Sequence, residues 1–107
     1  MMRVTLIKPP ERSRLNFGSF SLAVLAACVR DRADVKILDL TELRIKEAAK
    51  AVLETEPDLA GVTTMGLSSV APAAAFLKAL RNCGFGGVLI AGGHGASMSP
   101  EPLLESG

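Results

Sequence analysis

The sequence predicts an α/β domain with a parallel sheet, and three observations support this. Four short runs rich in Val, Leu and Ile end at turn-forming residues, as strands of a buried sheet do. Segments with apolar residues at helical spacing lie between these runs. The two kinds of segment alternate as β-α-β-α-β-α-β-α, which is typical of a parallel sheet with helices on both faces. We expect the 107 residues to form one domain.

The first half of the chain predicts two strands and two helices. Residues 3–7 form the first strand, and a loop over 11–18 precedes a helix that ends near residue 31. Residues 35–40 form the second strand, and Thr41 caps the helix that follows. The residues expected to be buried are Leu22, Leu25, Ala26 and Val29 in the first helix, and Ile45, Ala48 or Ala49, and Val52 in the second.

The second half continues the alternation. Residues 59–64 form the third strand, and Gly84 ends the third helix in a left-handed conformation. Residues 88–91 form a strand without polar alternation, which favours burial on both faces. A glycine-rich loop over 92–98 and a final helix close the sequence. The stripe expected to be buried in the third helix is Val70, Ala73 or Ala74, Leu77 and Leu80.

Right-handed crossovers restrict the arrangement of these elements. We expect a flavodoxin-like (Rossmann-like) three-layer sandwich with a parallel sheet in the order 2-1-3-4. Because such a sandwich normally has a fifth strand, we expect residues 1–107 to be part of a longer protein. Ligands bind beyond the carboxyl ends of parallel strands. The loops that meet there are residues 8–18, 65–68 and 92–98.

Composition and charge argue against several classes of protein. The net charge is +1, basic residues are not clustered, and Trp and Tyr are absent, so we expect no nucleic-acid partner. No apolar run reaches the ~18 residues of a membrane span. We expect no signal peptide, because the first apolar stretch is short and is interrupted by Lys8. We therefore expect a cytoplasmic protein that does not enter a membrane.

The three loops carry no recognisable set of catalytic or metal-binding residues. They contain no carboxylate pair and no Cys/His pair, and His94 is the only histidine. Residues 92–95 (GGHG) do not form the GxGxxG dinucleotide motif and follow the fourth strand rather than the first. The loops are suited to a large, weakly charged ligand that is held by backbone contact and packing.

Five segments carry a resemblance to a known family. Residues 4–10 (VTLIKPP) resemble VLLINPP, and 21–27 (SLAVLAA) resemble GLAYLAA. Residues 35–40 (VKILDL) resemble VEVLDL, 57–63 (PDLAGVT) resemble PDVVGIS, and 92–97 (GGHGAS) resemble GGPHAT. These patterns, in register over the whole chain, are similar to the N-terminal cobalamin (B12)-binding domain of radical S-adenosylmethionine (SAM) enzymes. That group includes cobalamin-dependent methyltransferases and the anaerobic Mg-protoporphyrin monomethyl ester cyclase.

The wider B12-binding family has the pattern DxHxxG…SxL…GG. Its final GG corresponds to residues 92–93, and its SxL to residues 63–65 (TTM). Its first part corresponds to residues 13–18, of which only Gly18 matches. Leu15 stands at the position of the histidine that ligates cobalt, and a leucine side chain has no atom that can do so.

The resemblance implies a function and a set of cofactor-binding residues. The corrin would lie over the strand ends, and the dimethylbenzimidazole tail would insert between the loops after strands three and four. SAM and a [4Fe–4S] cluster would act in a downstream radical SAM domain of the same polypeptide, so this segment alone would not catalyse. The residues implied at the cofactor are Gly18, Thr63, Thr64, Met65, Gly66, Ser68, Gly92, Gly93, His94 and Gly95.

Two other functions stay open at this stage. One is a flavodoxin- or receiver-like interaction domain that binds no cofactor and uses its glycines for packing. The other is a nucleotide- or SAM-binding Rossmann module, which the glycine-poor first loop disfavours.

Overall fold

A computed structural model describes residues 2–10, 20–64 and 69–106 of the chain. The strands in these ranges are β1 (Met2–Lys8), β2 (Ala33–Asp39), β3 (Leu59–Thr63) and β4 (Val88–Gly92). They form one sheet in the order β2-β1-β3-β4, and every neighbouring pair is parallel. The predicted α/β fold with the flavodoxin-like order 2-1-3-4 is confirmed.

The register brings the carboxyl ends of the strands to one edge of the sheet. Lys8 of β1 is opposite Asp39 of β2, and Thr63 of β3 is opposite Gly92 of β4. The chain runs outward from β1 to β2 and then returns past β1 to β3. The strand order therefore reverses between β1 and β3, the place where open α/β sheets bind their ligands.

The described helices are α1 (Phe20–Val29), α2 (Ile45–Glu54), α3 (Val70–Asn82), α4 (His94–Met98) and α5 (Glu101–Ser106). Side chains of α2, α3 and α5 share one apolar cluster with β1 and β3. We call this side of the sheet the closed face. On the other side, α1 shares a smaller cluster with β1 and β2. We call that side the open face.

The closed face holds the main core. Ile7, Val52, Phe76 and Leu80 have no exposed surface there. The stripe predicted for α3 is buried through Val70, Ala73, Leu77 and Leu80, whereas Phe76 is an additional core residue that the spacing did not single out. Gly84 follows α3 with φ +102°, so the predicted left-handed end of this helix is confirmed.

The predicted cap of α2 at Thr41 is wrong. The Thr41 hydroxyl donates a 2.7 Å hydrogen bond to Asp39 Oδ1, and its backbone N–H donates to the same atom at 3.2 Å. These bonds hold Thr41 in a turn at the end of β2, so the helix begins later, at Ile45. Ile45 is consequently exposed, whereas Ala48, Ala49 and Val52 are buried as predicted.

The stripe predicted for α1 is wrong in two of its members. Leu22 is buried, but Leu25 and Val29 are 53% and 37% exposed. The physical reason is that α1 packs on β1 and β2, while α2, α3 and α5 all lie on the other side of the sheet. Leu25 and Val29 line a cleft beside β3 and β4, which no further helix in the described ranges covers.

The prediction that residues 88–91 are covered on both faces is also wrong for the described part of the chain. Burial alternates along β4, and Val88 and Ile90 are 57% and 50% exposed on the open face. Leu89 and Ala91 pack against the core of the closed face. No described helix has the length and apolar character needed to cross a membrane.

Candidate functional site

An apolar cleft of about 600 Å³ lies on the open face, between α1 and the sheet. We call it the α1 cleft. It runs from the amino ends of the strands to the carboxyl edge of β3 and β4. Its side chains include Leu22, Leu25 and Val29 from α1, Val4 and Leu6 from β1, and Ile90 from β4. Ligand pockets of drug-sized molecules have similar volumes.

The floor of the cleft is low because two glycines on neighbouring strands face into it. A Cβ added at Gly61 would lie 3.3 Å from Leu6 Cδ2, so glycine at this position keeps β3 close to the β1 side chain. A Cβ added at Gly92 would meet nothing within 4 Å. Gly92 therefore leaves open space at the carboxyl edge, and the fold itself does not require glycine there.

The cleft offers a ligand few polar groups. Of its described lining residues, only Thr63 and Arg32 have polar side chains. Thr63 ends β3, and Arg32 directly precedes β2, so the two stand at opposite ends of the strands. The arrangement is suited to an apolar group that is held by packing along the middle of the cleft.

Hydrogen bonds of Thr64 fix the backbone at the mouth of the cleft. Thr64 is 1% exposed, and its hydroxyl donates to the Gly92 carbonyl at 2.8 Å and accepts from the Ala96 N–H at 2.7 Å. Its carbonyl accepts from the Gly95 N–H at 3.3 Å. Helix starts leave their first N–H groups without partners. Thr64 therefore caps α4 from the end of the neighbouring strand.

This cap explains why the predicted loop over 92–98 is mostly helical. Gly92 still belongs to β4, and Gly93 alone turns the chain before α4 begins at His94. Gly93 has φ 95° and ψ 179°, a region that only glycine occupies readily. A Cβ at Gly93 would also collide with the Thr64 carbonyl oxygen. Glycine at 93 is thus required by the fold, in contrast to Gly92.

The predicted site residues fall into three groups. Thr63, Gly92 and Gly93 line the α1 cleft at its mouth. Thr64 and Gly95 are buried and build the turn behind it, and His94 begins α4. The predictions at Gly18, Met65, Gly66 and Ser68 lie outside the described residues, as does Leu15.

Sequence reasoning missed several lining residues, above all Gly61, Ile90 and Leu25. The sequence could have indicated Gly61 and Ile90, because side chains two positions apart in a strand share a face. Gly61 is two residues from Thr63, and Ile90 is two residues from Gly92. Nothing in the α1 sequence distinguishes Leu25 from Leu22, so the exposure of Leu25 had no signal.

The fold and the cleft define the class: a flavodoxin-like α/β domain with an apolar cleft that reaches the carboxyl edge of the sheet. No protein-family model and no solved structure matches the chain. An uncharacterized methyltransferase from Pyrococcus horikoshii is 29% identical over 113 aligned positions, which cover 98% of this chain. The chain spans 24% of that protein's length. The similarity indicates a distant relationship with that protein.

Proposed function

We propose that this chain is the cobalamin-binding module of a radical SAM enzyme that transfers methyl groups. The observation that carries the proposal is the α1 cleft, which opens between Thr63 and Gly92 at the carboxyl edge of the sheet. The resemblance in residues 4–10 and 92–97 and the similarity to a methyltransferase support it. A related carbon-skeleton or cyclase-type radical reaction fits the same resemblance.

The described residues fit the tail of the cofactor better than its corrin. A flat aromatic base and its ribose suit a cleft of about 600 Å³ whose walls are Leu6, Leu22 and Ile90. The corrin would stay outside, over the strand ends. Gly92 would give the tail room to enter, and Thr63 is the polar side chain at the entrance. Thr64 would act as a positioning residue, because its hydrogen bonds set the turn at Gly93.

When bound, cobalamin supplies a cobalt centre that can carry a methyl group. The chain's own contribution is to hold the tail and orient the corrin edge. Leu15, at the position of the family's cobalt-ligating histidine, offers cobalt no ligand, so retention would depend on the tail. SAM and a [4Fe–4S] cluster would belong to a downstream domain of the same polypeptide, and the whole would work in the cytoplasm.

The first test is reconstitution with hydroxocobalamin, followed by desalting and a visible spectrum. We expect the protein to retain corrin absorbance, with a spectrum that shows the dimethylbenzimidazole detached from cobalt. A protein that retains no corrin would contradict the proposal and favour the interaction domain without cofactor. Parallel titration with SAM tests the Rossmann alternative, which predicts binding of SAM and no retention of the corrin.

A pair of glycine variants tests where the tail lies. A Cβ at Gly92 would meet nothing within 4 Å, so Gly92→Leu places its side chain in open space at the mouth of the cleft. We expect affinity for cobalamin to fall at least about tenfold with little change in stability. Gly86→Leu is the matched control, because a Cβ there also meets nothing within 4 Å and Gly86 lies two residues before the amino end of β4, away from the mouth. Equal affinities of the two variants would refute this placement. Gly93 is unsuitable, since the fold requires glycine there.

A further inference from the structure

We propose that the α1 cleft selects among cobamides by the polarity of the tail base, and prefers an apolar base to a purine. This inference rests on the proposed function and adds the chemical class of the preferred ligand. A cobamide tail can carry a benzimidazole, a phenol or a purine. These bases differ chiefly in the hydrogen-bonding groups at their edges. Which base binds more tightly therefore depends on the polar groups that the cleft offers.

The middle of the cleft has no polar side chain among its described lining residues. Its walls there are Leu6, Leu22 and Ile90, and its floor is Gly61. Thr63 and Arg32 stand at the two ends of the strands. Among the described residues, a base that lies over Gly61 therefore meets only apolar side chains.

The backbone beneath the base is also committed to other partners. β3 is an interior strand, paired with β1 through Val4↔Leu59 to Ile7↔Val62 and with β4 through Leu59↔Val88 to Thr63↔Gly92. Its N–H and C=O groups serve these two ladders, so the floor presents no spare acceptor or donor to a ligand.

Against these described residues, a purine would lose hydration and gain no hydrogen bond in its place. The exocyclic amine of adenine needs an acceptor, and a buried donor without a partner is unfavourable. The two methyl groups of dimethylbenzimidazole and the single methyl group of p-cresol need only apolar contact, which Leu6, Leu22 and Ile90 provide. We expect the adenine cobamide to bind at least about tenfold more weakly than either.

The experiment measures dissociation constants of the intact chain for four corrinoids. These are cobalamin, the p-cresol cobamide, the adenine cobamide and cobinamide, which has no tail. We expect cobalamin and the p-cresol cobamide to bind tightest, the adenine cobamide next and cobinamide weakest. Cobalamin must first detach its base from cobalt, whereas p-cresol has no nitrogen to coordinate, so the p-cresol and adenine pair gives the clearer comparison.

Three outcomes would contradict the inference, and they can be distinguished. Equal or tighter binding of the adenine cobamide would overturn base selection while leaving the proposed function intact. Cobinamide that binds as tightly as all the others would place the tail outside the cleft, and again the proposed function would survive. Failure of every corrinoid to bind would overturn the proposed function itself, and the inference with it.

A variant pair connects the selectivity to the cleft. Ile90→Thr puts a hydroxyl beside the middle of the floor, so we expect the preference for p-cresol over adenine to narrow at least about threefold. Val88→Thr is the matched control. Val88 lies on the same face of β4, with 57% exposure against 50% for Ile90, and does not line the cleft. An unchanged preference in a folded Ile90→Thr protein would overturn the inference.

Discussion

The two faces of the sheet are built from similar residues but differ in how completely helices cover them. On the closed face, three helices pack over Ile7 and Phe76 and leave neither exposed. On the open face, α1 alone packs over the sheet, and Leu25 and Ile90 remain about half exposed. β4 contributes side chains to both faces: Ala91 packs in the closed core, and its neighbour Ile90 lines the cleft.

The contrast shows that apolar composition does not distinguish a closed core from an open cleft. An apolar side chain contributes to stability when neighbouring groups remove it from water, and contributes to binding when a ligand does so. The closed face is expected to carry most of the free energy of unfolding, and the open face most of the binding energy. Variants on the two faces can test this separation.

The largest expected difference in the free energy of unfolding is between a truncation in the core and one in the cleft. Phe76→Ala on the closed face is expected to lower the free energy of unfolding by about 3–5 kcal/mol, because it leaves a buried cavity. Leu25→Ala on the open face should lower it by less than about 1 kcal/mol, since that side chain is half exposed. Urea denaturation measures both. Similar losses in the two variants would show that the open face is closed in solution.

The next largest effect on stability is expected at Gly93, in the turn between β4 and α4. Gly93→Ala is expected to lower the free energy of unfolding by about 3 kcal/mol, because φ 95° with ψ 179° excludes a Cβ and the Thr64 carbonyl blocks it. Gly84→Ala should cost only about 1 kcal/mol, because its φ is also positive but a Cβ there would meet nothing within 4 Å. Thermal unfolding of both variants checks the order, and a Gly93→Ala protein as stable as Gly84→Ala would contradict it.

The smallest effect isolates one hydroxyl. Thr64→Val removes the acceptor of the Ala96 N–H, so we expect a loss of about 1–3 kcal/mol in the free energy of unfolding. Thr64→Ser keeps the hydroxyl and should lose less. Cobalamin affinity should be measured for the same two variants. If Thr64 positions the mouth of the cleft, Thr64→Val should weaken binding more than Thr64→Ser does. Equal stability and affinity in the two variants would remove Thr64 from this role.

Sequence patterns predicted much of the fold and part of the candidate site. The alternation of strand and helix patterns, together with right-handed crossovers, predicted the strand order. Helical spacing predicted the buried stripe of α3, because local geometry sets which residues of a helix share a face. The glycines at 92 and 93 were recognised, but their different roles were not. Gly93 is required by the Thr64 carbonyl 29 positions earlier in the chain, and Gly92 faces open space, so only long-range contacts distinguish them.

The sequence by itself determined the alternation of strands and helices, the parallel sheet and the left-handed end of α3 at Gly84. The strand and helix patterns and the left-handed end depend on neighbours a few positions apart, and the parallel sheet follows from their alternation. Only the tertiary structure decided which apolar residues close a core and which line a cleft. Leu89 and Ile90 are neighbours in β4, yet the first packs against the closed core and the second lines the cleft. The reason is physical: burial depends on what packs against a side chain, and that partner comes from distant parts of the chain.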